Sequence, residues 1–199
     1  FASLGGLEEY PVVYLEECNN IPGCNDLDCA GVCGGSATIG DYCLDEDAIF
    51  VEDFESYNNG DYIALNSADW VTWDTGQEGS DQDAIVSQDN AISGSNSLQI
   101  LPGDDVVVPL GNRTEGLYSL SFSYYVLEGH GAYYNIQHYE AVGTQWAINV
   151  YFEPENGYMQ VNGQNYSFDY NHNEWTEIKN IINFDENLAA LYINGNLIH

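Results

Sequence analysis

Leu117-Tyr-Ser-Leu-Ser-Phe-Ser-Tyr-Tyr-Val126 is the stretch whose reading decides the fold. Tyr118, Leu120, Phe122, Tyr124 and Val126 fall on one side and Ser119, Ser121 and Ser123 on the other. That two-residue period is the mark of a half-buried strand. Downstream, Trp146, Ile148, Val150 and Phe152 repeat it, and so do Tyr166, Phe168 and Tyr170. Asn156-Gly157, Asn162-Gly163 and Asn194-Gly195 punctuate these runs. Asn-Gly is the strongest short-range hairpin signal, because both central residues of a type I′ turn need positive φ. A meander of such strands has one apolar face, which a second sheet must cover. The expected class is therefore all-β, an antiparallel β-sandwich.

Working upstream, Ile49 to Tyr57, Ala84 to Val86, Ser97 to Leu101 and Val106 to Leu110 read as further strands, with no amphipathic helix of useful length. Asp53-Phe-Glu55, then Ser93-Gly-Ser-Asn-Ser-Leu98, then the meander closing on Leu191-Tyr-Ile-Asn-Gly195 resemble the concanavalin A-like lectin/glucanase domains, with which laminin-G-like domains share a fold. The resemblance implies a jelly-roll sandwich over residues 48–199. It also implies one more strand after the last Asn-Gly hairpin, whereas the sequence stops at His199. Either the sequence stops short of that strand, which is the preferred reading, or something else closes the sheet, such as the Val12–Leu15 strand supplied in cis or from a neighbouring copy.

All five cysteines, Cys18, Cys24, Cys29, Cys33 and Cys43, lie outside the sandwich. Dense cysteines in a core-poor segment point to disulfides and an oxidising compartment, with the pairing left open. The run Asp26-Leu-Asp-Cys-Ala-Gly-Val-Cys-Gly-Gly35 resembles the Asp-Cys-x-Gly-x-Cys-Gly-Gly repeats of secreted bacterial surface proteins of the Bacteroidetes kind. The resemblance implies a small disulfide-rich arm over residues 18–47. Before it, residues 1–17 hold one β-prone run, with Val12, Val13, Tyr14 and Leu15 as a candidate strand. It is expected either to pack locally or to add to a sheet edge of a neighbouring copy.

The 199-residue chain carries 32 Asp and Glu against 2 Lys and Arg, a net charge of −30. Ion pairs cannot neutralise that, so counterions or bound divalent cations must. Calcium, which takes carboxylate and carbonyl oxygens, is the one cofactor expected. Asp53 and Glu55, read as sharing a strand face, are the first ligand candidates, with Asp26 and Asp28 in the cysteine-rich segment after them. The same charge disfavours nucleic acid and anionic membrane surfaces. No apolar run is long enough for membrane insertion as a helix. With the cysteines, this places the chain outside the cell or on its surface.

Catalysis is not expected. A glycosidase on this fold needs two carboxylates at defined separation, and Glu52-Asp53-Phe54-Glu55 does not have the spacing of the glucanases it resembles. For binding, the 16 Tyr and 4 Trp offer surfaces for sugars. Trp70 and Trp73 in a loop-like stretch, Tyr133 and Tyr139 on one strand and Tyr151 on the next are the candidates for glycan stacking. Asn112-Arg-Thr114 and Asn165-Tyr-Ser167 are sequons for N-glycosylation. The leading expectation is a non-catalytic surface module for adhesion or self-assembly into a fibre. A carbohydrate-binding module comes next, and a polysaccharide hydrolase or lyase stands remotely behind.

Overall fold

The computed structural model describes the backbone of residues 2–5 and 13–17 and all of residues 48–199. The five cysteines, Asp26, Asp28 and Val12 lie outside the described residues, as does the whole disulfide-rich arm. Among the described residues, fifteen strands and one helical turn follow in order. They are β1 (Ala2–Gly5), β2 (Val13–Glu17), β3 (Ala48–Glu52), α1 (Ile63–Asn66), β4 (Val71–Thr72), β5 (Ile85–Ser87), β6 (Ser97–Gln99) and β7 (Asp105–Val108). Then come β8 (Leu117–Tyr125), β9 (Ala132–Gln137), β10 (Trp146–Phe152), β11 (Gly157–Val161), β12 (Gln164–Phe168), β13 (Trp175–Asn183), β14 (Leu188–Ile193) and β15 (Asn196–Leu197).

The chain is all-β. One antiparallel sheet runs β12-β11-β10-β9-β1-β7-β4, a second runs β15-β14-β13-β8-β2-β3, and β5 and β6 form a separate pair. The apolar faces of the two large sheets meet in one core. Phe122 of one layer meets Tyr134 of the other edge-on at 4.8 Å, and Tyr124 meets Phe152 at 5.4 Å. The Tyr134 hydroxyl crosses the interior to donate to Asn180 Oδ1 at 3.1 Å, so the layers are joined by a buried hydrogen bond as well as by packing.

β8 behaves as its alternation requires, with Leu120, Phe122 and Tyr124 in the core. Its serine face is not a solvent face, however. Ser119 and Ser123 are buried too, because β8 is an interior strand and the longer Ile181 and Glu177 of β13 stand directly beside them.

The N-terminal strands correct the expected layout. Ala2–Gly5 and Val13–Glu17 are not set apart from the two large sheets, since β1 lies between β9 and β7 and β2 lies between β8 and β3. Val13, Tyr14 and Leu15, offered above as an assembly strand, pair with Phe122, Ser121 and Leu120 on one side and with Glu52, Val51 and Phe50 on the other. Both edges of β2 are thus satisfied within its own chain. A strand over Ala2–Gly5 carries no periodicity long enough to have been anticipated.

The hairpins divide. Asn162-Gly163 (φ 50° and 75°) and Asn194-Gly195 (φ 48° and 74°) are left-handed at both central residues, as a type I′ turn demands. Asn156-Gly157 is not such a turn. Gly157 sits inside β11 opposite Phe168, whose ring lies where a Cβ would be, so the glycine is there to admit an aromatic ring.

Near β7, Asp104 has a carboxyl pushed up to about 6 by burial and by the nearby charges of Asp83 and Asp81, against the Leu101 N–H that donates to it. A carboxyl raised above its unfolded value contributes stability that is full below pH ~4 and is lost as pH rises through 6. Asp104→Asn keeps an acceptor for Leu101. Its urea midpoint is expected to change less than that of the native chain between pH 4 and 7, and equal slopes would refute the assignment.

Candidate functional site

The outer face of the seven-stranded sheet gathers aromatic and amide side chains in two rows that register alone dictates. Tyr133, Tyr151 and Tyr158 stand side by side on β9, β10 and β11, and Asn135, Asn149, Gln160 and Asn165 do so on β9 through β12. Neighbouring tyrosine rings lie 4.8 Å apart in both pairs, with interplanar angles of 37° and 22°. Rings packed that way cover one another's faces, so the row offers edges and hydroxyls more than flat surfaces. The Tyr133 hydroxyl donates to Asn149 Oδ1 at 2.6 Å and ties the two rows together. Its proton is held firmly: burial above all pushes the phenol up to about 12, with Tyr151 and Asp105 adding to the shift and hydrogen bonds from Asn135 and Trp146 opposing it.

The flat surface comes from elsewhere. Between Trp146 and Ile148 the β9–β10 pairing slips, so that Trp146 faces Gln137 while Ile148 faces Ile136. The extra residue reverses the side chain. Trp146, which the alternation places on the core face with Val150 and Phe152, instead stands on the outer face, 42% exposed. There it stacks on Trp73 at 6.1 Å and 21°. The loop between β9 and β10 also approaches Trp73, where Gly143 (φ 76°) leaves the indole room: a Cβ there would come within 3.1 Å of it. Gly143 N–H donates to Gln137 Oε1 at 2.8 Å, fixing that loop to the sheet.

Beneath this surface two amides are buried. Asn135 is 1% exposed and Gln137 6% exposed. Asn135 Oδ1 and Gln137 Nε2 have no hydrogen-bond partner among the described residues. Buried polar groups are nearly always paired, so these two atoms are positions that an ordered water or a ligand can satisfy, as are Trp70 Nε1 and Asn180 Nδ2 elsewhere in the interior. Comparison with protein-family models, curated proteins and solved structures returns no match for this chain, so the site is read from its own geometry.

The remaining candidates sort as follows. Trp73, Tyr133 and Tyr151 belong to the site. Trp70 does not: it is 1% exposed and packs on Phe54 at 6.0 Å, because the turn after α1 carries it into the core. Tyr139 is 54% exposed but lies off the sheet, since β9 ends at Gln137. Asn112 and Asn165 are both exposed, and Asn165 is part of the amide row. Trp146 escaped the reading because a bulge has no signature in alternation. Tyr158 was legible, as the neighbour of the inward Met159.

Asp53 and Glu55 do not share a strand face. β3 ends at Glu52, and the chain turns through Phe54 at φ 62°. Glu55 Oε1 accepts the Ser95 and Asn96 N–H groups at 2.8 and 2.7 Å, and Asp53 Oδ1 accepts the Glu55 N–H at 3.0 Å. Glu52 is buried, its carboxyl raised chiefly by burial, and accepts from Phe54 N–H and the Tyr57 hydroxyl. Among the described residues no three His, Cys, Asp or Glu are grouped so as to hold a metal ion.

The two tryptophans give opposite expectations. Trp70→Ala should lower stability by about 3–5 kcal/mol through the cavity it leaves. Trp146→Ala should stay within about 1 kcal/mol of the native chain, because half the ring is already in water. Chemical denaturation of both variants checks this, and comparable losses would place Trp146 in the core after all.

Proposed function

We propose that this chain is a non-catalytic carbohydrate-binding module of an extracellular, cell-surface protein, and that it holds its ligand across the outer face of the seven-stranded sheet. The observation that carries the reading is Trp146, turned out of the core by the bulge and backed by Trp73, beside a row of amides. A pyranose ring has an apolar face that lies on an indole and a rim of hydroxyls, each both donor and acceptor. Amides answer such hydroxyls because they too offer both roles. Apolar contact supplies affinity and the amides fix orientation, the usual division of labour in a binding site.

Other features support the wider reading. Strands close in sequence are shared between two sheets, in keeping with a jelly roll of the concanavalin A-like kind. The cysteine-rich run and the acidic composition suit an exported protein, with calcium as a neutraliser of its surface charge. The carboxylates of Glu52 and Glu55 are engaged with backbone N–H groups, which favours binding over hydrolysis. Self-assembly loses the strand that was to carry it, because β2 is paired on both edges in its own chain. Adhesion through a bound glycan keeps its footing.

Affinity electrophoresis and calorimetry against soluble neutral polysaccharides test this. Burial of a large aromatic side chain is worth about 1.5–3 kcal/mol, so Trp146→Ala should weaken binding by roughly 10- to 100-fold. Binding untouched by that substitution, or no polysaccharide bound by the native chain, would rule the proposal out.

A further inference from the structure

We infer that the site under Trp146 reads an acetamido group, so that the ligand is a chain of N-acetylated amino sugars; this rests on the carbohydrate-binding reading above. The argument starts from the orientation of two amides. Gln137 Oε1 accepts the Gly143 N–H at 2.8 Å, which turns Nε2 away and leaves it as a buried donor. The single proton of the Tyr133 hydroxyl goes to Asn149. Asn135 Oδ1 is buried without a partner among the described residues, and so stands as an acceptor. The Gly143 contact pins Gln137 through its oxygen, so the site presents one fixed donor with a buried acceptor beside it.

The spacing of the pair selects its partner. Asn135 and Gln137 are two residues apart on one strand face, roughly 6.7 Å along β9. A hydroxyl carries donor and acceptor on one freely rotating oxygen and matches no particular arrangement of the pair. A secondary amide holds its C=O and N–H on opposite sides and adds its own length between them. Its carbonyl takes the Gln137 proton while its N–H donates to Asn135, as a neighbouring peptide unit would along a strand. The acetamido methyl and the sugar face then meet Trp146, the cross-strand neighbour of Gln137. Uronic or sulfated sugars are excluded by a chain of net charge −30, whereas an acetamido group is neutral.

The Gln137 amide lies beside the half-exposed Trp146 ring, its cross-strand neighbour, so a ligand that meets it also meets the indole. Binding therefore changes indole fluorescence, and Trp146→Phe removes most of that change.

The test is calorimetry on the full chain with tetra-N-acetylchitotetraose, cellotetraose and the de-N-acetylated tetramer, in 0.5 M salt. At that ionic strength, attraction of the amine form to the acidic surface is screened beyond a few ångströms. The acetylated tetramer is expected to bind at least tenfold tighter than either of the others. Gln137→Glu keeps the acceptor for Gly143 but replaces the donor, and the preference should fall towards one. Gln137→Met, which brings no buried charge, should do the same, with far-ultraviolet dichroism showing that both variants fold. Equal binding of the acetylated and cello tetramers would overturn this inference and leave the carbohydrate reading standing. Failure of all three to bind, or equal displacement by an N-acetylated peptide, would likewise overturn this inference, whereas the carbohydrate reading falls only if the neutral polysaccharides above also fail to bind.

Discussion

The nine-residue ladder between β8 and β13 holds the rest of the molecule in place. It sits inside the six-stranded sheet, and its Leu120, Phe122, Tyr124 and Ile178 belong to the buried core that joins the two layers. In such an arrangement a shift of one residue would exchange inside for outside along a whole strand. The fold tolerates that shift in one place of consequence, the start of β10, where a single extra residue moves an indole from the interior to the surface. Core and site are thus two outcomes of the same period, kept in step over most of β10 and broken at its first turn of the pleat.

What the sequence made legible follows from that period. The faces of β8, the amide and tyrosine positions of β9 and β10, and two of three Asn-Gly turns need only local rules, and these elements are where those rules place them. The rest depends on partners far along the chain. Val13 to Leu15 reads as a strand, but nothing near it says that it lies between Phe122 and Phe50. Gly157 looks like a turn residue until Phe168 is seen across from it. Trp70 looks exposed because its neighbours are polar, while the group that buries it, Phe54, adopts a left-handed backbone that no bulky residue announces. Asp53 and Glu55 lost their shared face to the same turn.

The acidic surface and the neutral site are complementary. With 32 carboxylates against two cations, the protein repels anionic surfaces and polymers at long range. Yet the outer face of β9 to β12 is built from phenols and amides, whose strength lies in short, oriented contacts. Discrimination is therefore layered, with charge acting before contact and hydrogen-bond polarity after it.

The interior position of β1 and β2 has a consequence for how the chain comes together. Their partners on β7, β8 and β9 lie about 100 residues or more away, so the middle of each sheet is closed by contacts of very long range, which slow folding. On a ribosome β1 would wait unpaired until β7 had emerged, and β2 would have only β3 beside it until β8 followed. The same geometry makes the opening segment separable in principle: a synthetic peptide of the first seventeen residues, supplied to the remainder, has two ready-made slots to occupy, as in a split reporter whose halves find each other.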